Sequence, residues 1–193
     1  GVSNSTAPTT NQTLWIYTTG GIVYGSPAII NGIVFTGSMD GKVYALNEST
    51  GAQIWNFTTE NYIFSSPAVV DDVVFIGSSD NNVYALNEST GVKIWNYTTG
   101  NVVYSSPAVC EEMVFVGSHD SNVYALNEST GAKIWNYTTG STVQSSPAVA
   151  NGVIFIGSGD GNVYALNWST GAKIWNYTTG SGVFSSPAVA DGI

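Results

Sequence analysis

Aspartate recurs at one place in a repeated G-S-x-D motif, as Asp40, Asp80, Asp120 and Asp160. Carboxylates at regular spacing suggest calcium, which takes roughly six to eight oxygen ligands in proteins. Each motif supplies only one carboxylate, however. It is followed by pairs such as Gly41-Lys42 and Asn81-Asn82, which are typical of a hairpin turn. We therefore interpret the aspartates as turn residues and predict no metal site.

Histidine and cysteine each occur once, as His119 and Cys110. His119 lies in one copy of the motif, GSHD, and we expect an exposed side chain without a partner for catalysis or metal binding. Cys110 stands in SSPAVCEEMVF, where sister repeats have Val70 and Ala150, and this predicts a small apolar strand residue. No catalytic, cofactor-binding or metal-binding residue is predicted.

The charge of the chain disfavours several kinds of partner. Thirteen acidic residues and four lysines, with no arginine, give a net charge of -9. This charge repels phosphate backbones and anionic lipids, so nucleic-acid binding is not expected. No apolar run reaches the roughly 18 residues of a membrane helix, and no signal-peptide pattern is recognisable. We expect a secreted or cell-surface protein whose signal peptide has been removed.

The dominant pattern is an internal repeat of 40 residues, marked by Trp15, Trp55, Trp95, Trp135 and Trp175. Within residues 65–100, four segments rich in Val, Ile, Phe, Tyr and Trp are separated by turn-forming residues around Asp71, Asp80 and Glu88. Gly or Pro interrupts every segment too early for a helix. Each repeat therefore predicts four strands.

Four-stranded antiparallel sheets at this period are typical of β-propeller blades. We predict an all-β propeller with four complete blades at about residues 21–60, 61–100, 101–140 and 141–180. Partial blade strands are expected at 14–20 and 181–193, after a flexible Ser/Thr/Asn-rich tail over 1–13. A blade without its two middle strands cannot close a ring. We therefore expect a segment of a longer propeller, with self-association of several chains as the alternative.

Residues 125–135, ALNESTGAKIW, resemble the tryptophan-docking motif A-x-D-x-x-T-G-K-x-x-W of the PQQ-type propeller repeat. That repeat occurs in quinoprotein alcohol dehydrogenases and in cofactor-free relatives, including an outer-membrane assembly lipoprotein. The likeness covers residues 14–193, with Asn in place of the motif Asp and Ala or Val where Lys is usual. It implies that the five repeated tryptophans dock into the seams between blades, aimed by turns at Gly51, Gly91, Gly131 and Gly171.

The resemblance also suggests the enzymatic activity of a quinoprotein dehydrogenase. Such enzymes hold PQQ and calcium with residues that differ between blades, and they often carry a vicinal disulfide. One cysteine, no arginine and nearly identical blades argue against this activity. We predict no enzyme and no cofactor, and the dehydrogenase is kept as a remote alternative.

Ten N-x-[ST] sequons suggest N-glycosylation. The rim set lies on the outermost strand of each blade, where a glycan would shield an exposed edge. The turn set is expected to hold the docking turn, which makes the rim and tail sites the better candidates. Alternatively, duplication copied chance sequons. The rim set is Asn56, Asn96, Asn136 and Asn176; the turn set is Asn47, Asn87, Asn127 and Asn167; the tail sites are Asn4 and Asn11.

These features together predict a non-enzymatic structural or adhesive module, glycosylated and part of a larger assembly. The alternative is a protein- or carbohydrate-binding propeller. Its binding face would use Trp168, which replaces Glu in a turn, and the variable position occupied by Tyr24, Phe64, Tyr104, Gln144 and Phe184.

Overall fold

The computed structural model describes residues 12–190, and its regular structure there consists of 16 β-strands. They form four separate antiparallel sheets of four strands each, joined in chain order. This confirms the predicted all-β propeller of four-stranded blades. No helix that could cross a membrane occurs among residues 12–190.

The first and second blades have the following strands. The first contains β1 (Ala28–Ile30), β2 (Ile33–Gly37), β3 (Lys42–Asn47) and β4 (Gln53–Thr58). The second contains β5 (Ala68–Val70), β6 (Val73–Gly77), β7 (Asn82–Asn87) and β8 (Lys93–Thr98).

The third and fourth blades repeat this pattern. The third contains β9 (Ala108–Cys110), β10 (Met113–Gly117), β11 (Asn122–Asn127) and β12 (Lys133–Thr138). The fourth contains β13 (Ala148–Ala150), β14 (Val153–Gly157), β15 (Asn162–Asn167) and β16 (Lys173–Thr178).

Two-residue turns join the first and second strands of every blade. Both turn residues have positive φ, as a type I′ hairpin requires. In the second blade these are Asp71 (φ 47°) and Asp72 (φ 62°), and in the first Asn31 (φ 52°) and Gly32 (φ 77°). The register of β5 with β6 therefore pairs Val70 with Val73 across the turn.

Both faces of the inner blades are buried because adjacent blades pack face to face. Tyr84 and Leu86 of β7 lie in the apolar cluster shared with the first blade. Val83 and Ala85 point the other way, into the cluster shared with the third blade. The alternation of small and large residues in VYAL thus fills two different seams, as expected from the period of a strand.

The two ends of the chain form no β-ladder among the described residues. Residues 14–20 lie against the first blade and residues 181–190 against the fourth. Single hydrogen bonds hold them there, from the Gly20 N–H to Asp40 and from the Val183 N–H to the Ser158 carbonyl. The partial blade strands at 14–20 and 181–193 stay a prediction. Residues 1–11 of the expected tail and residues 191–193 lie outside the described part of the chain.

Candidate functional site

The blade seams are built around a buried tryptophan. Trp55 of β4 is only 8% exposed and lies over Gly91, in the turn between β7 and β8. Its indole Nε1–H donates a hydrogen bond of 2.7 Å to the carbonyl oxygen of Glu88. A Cβ on Gly91 would lie 2.6 Å from Cε3 of the ring, and Gly91 has φ 70°. Glycine is required at this position both for the backbone angle and for the space.

Each of these glycines is covered by the tryptophan of the preceding segment of the chain. The tryptophan that follows a glycine in the motif, such as Trp95 after Gly91, packs on the glycine of the next repeat, here Gly131. A uniform 40-residue period cannot show which tryptophan packs on which glycine. The contacts are Trp15 on Gly51, Trp55 on Gly91, Trp95 on Gly131 and Trp135 on Gly171.

Trp175 of β16 has no such partner among the described residues. It is 45% exposed, while its counterpart Trp95 is 8% exposed. A Cβ on Gly180 would meet no atom of residues 12–190 within 4 Å, whereas on Gly100 and Gly140 it would meet an aspartate of the next blade. Trp175, Tyr177 and Gly180 therefore mark an uncovered surface, which we name the open face of the fourth blade.

The repeated aspartates also hold neighbouring blades together. The Asp120 carboxylate accepts hydrogen bonds from the Tyr124 hydroxyl at 2.6 Å and from the Gly100 N–H, in the preceding repeat, at 2.7 Å. It also accepts one from the Asn122 N–H at 3.0 Å. Burial alone would raise the pKa of Asp120, but these hydrogen bonds outweigh it and lower the pKa.

This arrangement explains the carboxylates without a metal ion. Burial and the hydrogen bond to the Asp120 carboxylate raise the pKa of Tyr124, so the phenol remains a donor. Among residues 12–190, no three His, Cys, Asp or Glu side chains are grouped closely enough to hold a metal. Each carboxylate joins its G-S-x-D turn to the residues that follow the outermost strand of the preceding blade.

His119 is partly buried rather than exposed, contrary to the expectation from the sequence. The ring of Tyr104 stands edge-on to it, with 4.5 Å between the ring centroids. Its Nε2 is buried and has no hydrogen-bond partner among residues 12–190, and this burial lowers the pKa of His119. The linker that carries Tyr104 covers the turn, which the spacing of the repeat could not show.

Three aromatic side chains on successive linkers form a contiguous row, which we name the aromatic arc. Tyr24 contacts Phe64 with 5.3 Å between ring centroids, and Phe64 contacts Tyr104 at 4.7 Å. Tyr24 is 71% exposed. The arc lies at the blade end that carries the G-S-x-D turns, because the linkers bond to those turns. An open cleft of about 340 Å³ adjoins this end, lined by residues that include Asp40, Glu60 and Tyr62.

Trp168 lies at the opposite end of the blades. Its backbone N–H bonds to Gly152 in the turn between β13 and β14, and its side chain packs against the cluster between the third and fourth blades. The variable residues considered for a single binding face therefore belong to two different ends. Only the aromatic arc brings several of them together.

The turn-set asparagines are engaged in the docking turns. Oδ1 of Asn127 accepts hydrogen bonds from the Thr130 N–H at 2.9 Å and from the Thr130 hydroxyl at 2.8 Å. This is an Asx-type turn, in which the asparagine replaces the aspartate of the motif. Asn47, Asn87 and Asn167 bond in the same way to Thr50, Thr90 and Thr170.

The rim-set asparagines are exposed, but three of the four are bonded. Nδ2 of Asn96 donates to Oδ1 of Asn82 at 3.0 Å, and the Thr98 hydroxyl donates to the same oxygen at 2.7 Å. Asn136 and Asn176 repeat this contact. In the first blade Lys42 replaces the accepting asparagine, so Asn56 makes no such bond. Asn4 and Asn11 lie outside the described residues.

Comparison with known protein families identifies the repeat. The family model described as "Outer membrane protein assembly factor BamB" matches residues 2–146 and 120–193. The chain belongs to this family. The resemblance to PQQ-type propeller repeats is thereby confirmed. A search of the curated proteins gives no match.

Solved structures share the fold of this BamB-family chain at low sequence identity. BamB from Moraxella catarrhalis is 21% identical with a TM-score of 0.67, and the alignment covers 85% of this chain and 64% of that one. Quinohemoprotein alcohol dehydrogenase from Comamonas testosteroni is 18% identical with a TM-score of 0.76, covering 84% and 36%. The computationally designed Ika8 protein is 18% identical with a TM-score of 0.77, covering 86% and 52%. The chain thus spans less than two thirds of each.

The polar side chains of the repeated motifs in this BamB-family chain form hydrogen bonds within and between its own blades. The asparagines, aspartates and tyrosines of each repeat bond to turns and to neighbouring blades, as Asp120 and Asn127 do. His119 has an aromatic ring beside it, and no carboxylate of the described part of the chain bonds to it. The described residues therefore build a regular scaffold, and the aromatic arc is the surface where its variable side chains come together.

Proposed function

We propose that this chain is a non-enzymatic structural or adhesive propeller module, secreted or at the cell surface, that works as part of a larger protein assembly. The observation that carries the proposal is the reuse of one set of contacts in every blade. Trp55 and Asp120 exemplify residues whose polar atoms hold neighbouring blades together. The family description, an outer membrane protein assembly factor, supports a role among other proteins of the cell envelope.

Fractionation of natively sourced cells tests this role. We expect the protein in the envelope or secreted fraction, migrating on native gels with larger complexes. Treatment with a mild chaotrope should release it as a smaller species, since an assembly held by non-covalent contacts dissociates. Recovery from the cell interior as a free monomer would contradict the proposal.

N-glycosylation is the second part of the proposal, and Asn56 is its leading site. Its side chain is exposed on the outermost strand, and Lys42 stands in place of the asparagine that holds the corresponding amide in the other blades. A glycan at this rim would hinder edge-to-edge pairing of sheets. We expect intact mass spectrometry of natively sourced protein to exceed the bare 20.3 kDa.

Glycopeptide mapping distinguishes the sites. Asn56→Gln should remove the largest share of the added mass, and Asn96→Gln is the matched control because Nδ2 of Asn96, the atom that would carry a glycan, donates to Asn82. A mass equal to that of the bare chain would contradict glycosylation at every sequon.

A binding scaffold is the alternative function, and the aromatic arc favours it. Aromatic faces stack on sugar rings and on apolar side chains, and Tyr24 presents an exposed ring in contact with Phe64. Phe64→Ala should weaken binding to a panel of oligosaccharides or to envelope proteins at least about tenfold if the arc is a binding surface. Val92→Ala, exposed at the other blade end, is the control. Equal affinity of both variants would exclude the arc.

The residues present do not fit a PQQ site. The chain has no arginine for the carboxylates of the cofactor and a single cysteine. The carboxylate of Asp120 already accepts bonds from a tyrosine and two backbone N–H groups. Reduction of a dye by an alcohol, with purified protein supplied with PQQ and Ca²⁺, would nevertheless revive the dehydrogenase alternative.

A further inference from the structure

The turn between the first and second strands begins with a different side chain in each of the first three blades. The residues are Asn31, Asp71 and Glu111, with Asn151 in the fourth blade. All four have positive φ, between 47° and 52°. The backbone is therefore the same in every blade, and the side chain decides what this residue contributes to the neighbouring blade.

In the seam between the first and second blades, this residue donates a hydrogen bond. Nδ2 of Asn31 donates to Oε1 of Glu88 at 3.2 Å. Glu88 belongs to the docking turn between β7 and β8 and is 3% exposed. Its carbonyl oxygen accepts the Nε1–H of Trp55 at 2.7 Å. One glutamate of the second blade thus bonds both the turn and the docking tryptophan of the first blade.

In the seam between the second and third blades, carboxylates occupy both of these places. Asp71 lies 40 residues after Asn31 in the repeat. Glu128 lies 40 residues after Glu88, and its carbonyl oxygen accepts the Nε1–H of Trp95 at 2.7 Å. An ionised aspartate has no hydrogen to donate, so Asp71 cannot repeat the bond that Asn31 makes. Asp71 and Glu128 therefore face each other as like charges.

The surroundings of Glu128 add to this repulsion. The Glu128 backbone N–H donates to the carbonyl oxygen of Glu112 at 2.9 Å, which holds the docking turn beside a second acidic turn. Burial raises the pKa of Glu128 above its ordinary value of 4.5, and the charges of Asp71 and then Glu112 raise it further. The protonated form of Glu128 is therefore favoured by groups on both sides of the seam.

The other charged groups at this blade end do not pair with Glu128. Asp72 and Glu111 complete the two acidic turns, and both are exposed carboxylates. Lys133 begins β12, but its Nζ donates to Oδ1 of Asn136 at 3.1 Å. Lys93 makes the equivalent contact at 3.0 Å in the second blade. Both lysines are thus engaged by asparagines of the rim set, and negative charge prevails at the turns.

The seam between the third and fourth blades has a different composition. Glu111 stands at the position of Asp71, and Trp168 replaces the glutamate of the docking turn. The Nε1–H of Trp135 donates to the Trp168 carbonyl at 3.0 Å, so the docking bond itself is retained. Of the three seams between the described blades, only the second places two carboxylates at these positions.

We propose that the seam between the second and third blades is a pH-sensitive joint, weaker at neutral pH than in mild acid. When both groups are ionised, Asp71 and Glu128 repel each other across the seam. When one of them takes up a proton, its O–H donates to the other and replaces the amide bond that Asn31 makes.

The sign of the effect follows from the carboxyl group of Glu128. Because its pKa in the folded chain lies above the unfolded value of 4.5, the seam gains stability as pH falls through the folded pKa. The gain is complete below about 4.5. His119 lies at the opposite end of the third blade, and its lowered pKa means that acid would loosen the fold there. Its titration therefore cannot mimic the expected result.

Hydrogen exchange of the indole protons, followed by NMR, tests each seam separately. Trp55, Trp95 and Trp135 donate their Nε1–H across the first, second and third seams, so each proton exchanges when its own seam opens. Protection factors are measured at about pH 4.5 and about pH 7.5, with a chelator present so that metal ions do not neutralise the carboxylates. Raising the pH should lower the protection of Trp95 about two- to fivefold more than that of the other two indoles.

Three variants identify the pair. Asp71→Asn gives the second seam the amide of the first, and the turn accepts it because Asn31 has nearly the same φ. It should bring the pH dependence of Trp95 down to that of Trp55. Asp72→Asn is the matched control, since it removes the same charge from the adjacent position and should leave Trp95 unchanged. Asn31→Asp should give Trp55 a pH dependence at least as large as that of Trp95.

Each outcome decides the question. A larger pH dependence at Trp95, removed by Asp71→Asn and kept by Asp72→Asn, supports the joint. Equal pH dependence at all three indoles overturns it. A response of Trp95 that Asp71→Asn leaves in place, or that Asp72→Asn removes equally, also overturns it, because the effect then belongs to the net charge. The proposed module role is unaffected by either result, since the joint is a property of the scaffold itself.

Discussion

Truncation of a seam tryptophan should cost far more than truncation of its exposed counterpart. Trp95 and Trp175 occupy equivalent positions in β8 and β16. Each ring lies against a phenylalanine of its own blade, with 5.8 Å between the centroids of Trp95 and Phe75 and 5.9 Å between those of Trp175 and Phe155. The contacts within the blade are therefore matched. The two sites differ in the docking contact with the next blade.

The size of the difference follows from that contact. Trp95→Ala leaves a cavity in a closed seam, which typically costs about 3–5 kcal/mol. It also removes the 2.7 Å hydrogen bond to the Glu128 carbonyl, worth about 1 kcal/mol. Trp175→Ala loses mainly the packing on Phe155, and we expect about 1–2 kcal/mol. The free energies of unfolding of the two variants should differ by about 2–5 kcal/mol.

Urea denaturation followed by far-ultraviolet circular dichroism measures this difference. Tryptophan fluorescence is unsuitable because each variant removes a fluorophore. The protein is kept dilute so that self-association does not cover Trp175. The curves are fitted with a nearest-neighbour model, since stacked repeats unfold as coupled units. Equal losses in the two variants would refute the reasoning, because they would place the stabilisation within each blade and not in the seam.

Three further experiments test the docking turns and the aspartate links. Gly91→Ala should destabilise the fold by about 2–4 kcal/mol in the same assay, from its positive φ and the contact with Trp55, whereas Gly180→Ala should change it by less than about 0.5 kcal/mol. The lowered pKa of Asp120 means that its ionised form contributes stability above the unfolded value of 3.8, which is lost as pH falls through the lower folded pKa. Asp120→Asn should therefore be less stable at neutral pH and show a shallower acid transition. Burial and then the hydrogen bond to Asp40 raise the pKa of Tyr44 from 10.0 to about 12, so its neutral form contributes stability below pH 10 that is lost as pH rises through about 12. Phenolate absorbance that appears for Tyr44 well before the alkaline loss of circular dichroism would contradict this assignment, and Tyr44→Phe identifies its share of the signal.

The fold and its period could be predicted from the sequence because they depend on local chemistry. Strand segments follow from runs such as VYAL, and turns follow from residues such as Asp71, Asp72 and Gly91, whose backbone angles are set by neighbours in the chain. The 40-residue repeat then requires that every blade be alike. The role of the repeated aspartates as turn residues follows from the same local pattern, since Asp120 bonds to Asn122 two residues away.

The pairing between repeats was decided only by the tertiary structure. A perfect 40-residue period does not show which glycine contacts which tryptophan. Only the packing of the blades places Trp55 on Gly91. The burial of His119 depends on Tyr104 from a linker in the preceding repeat, and the separation of Trp168 from the aromatic arc depends on the direction of each strand.

The amino-acid sequence by itself determined the blade, its four strands and its turns, because these result from interactions between residues close together in the chain. The tertiary structure decided which copies of the docking tryptophan are buried in a seam and which are exposed. Trp95 and Trp175 have the same local sequence and the same neighbour within the blade, yet one is buried and the other is not. The difference arises because burial of a seam residue depends on the adjacent blade, which identical local sequences cannot specify.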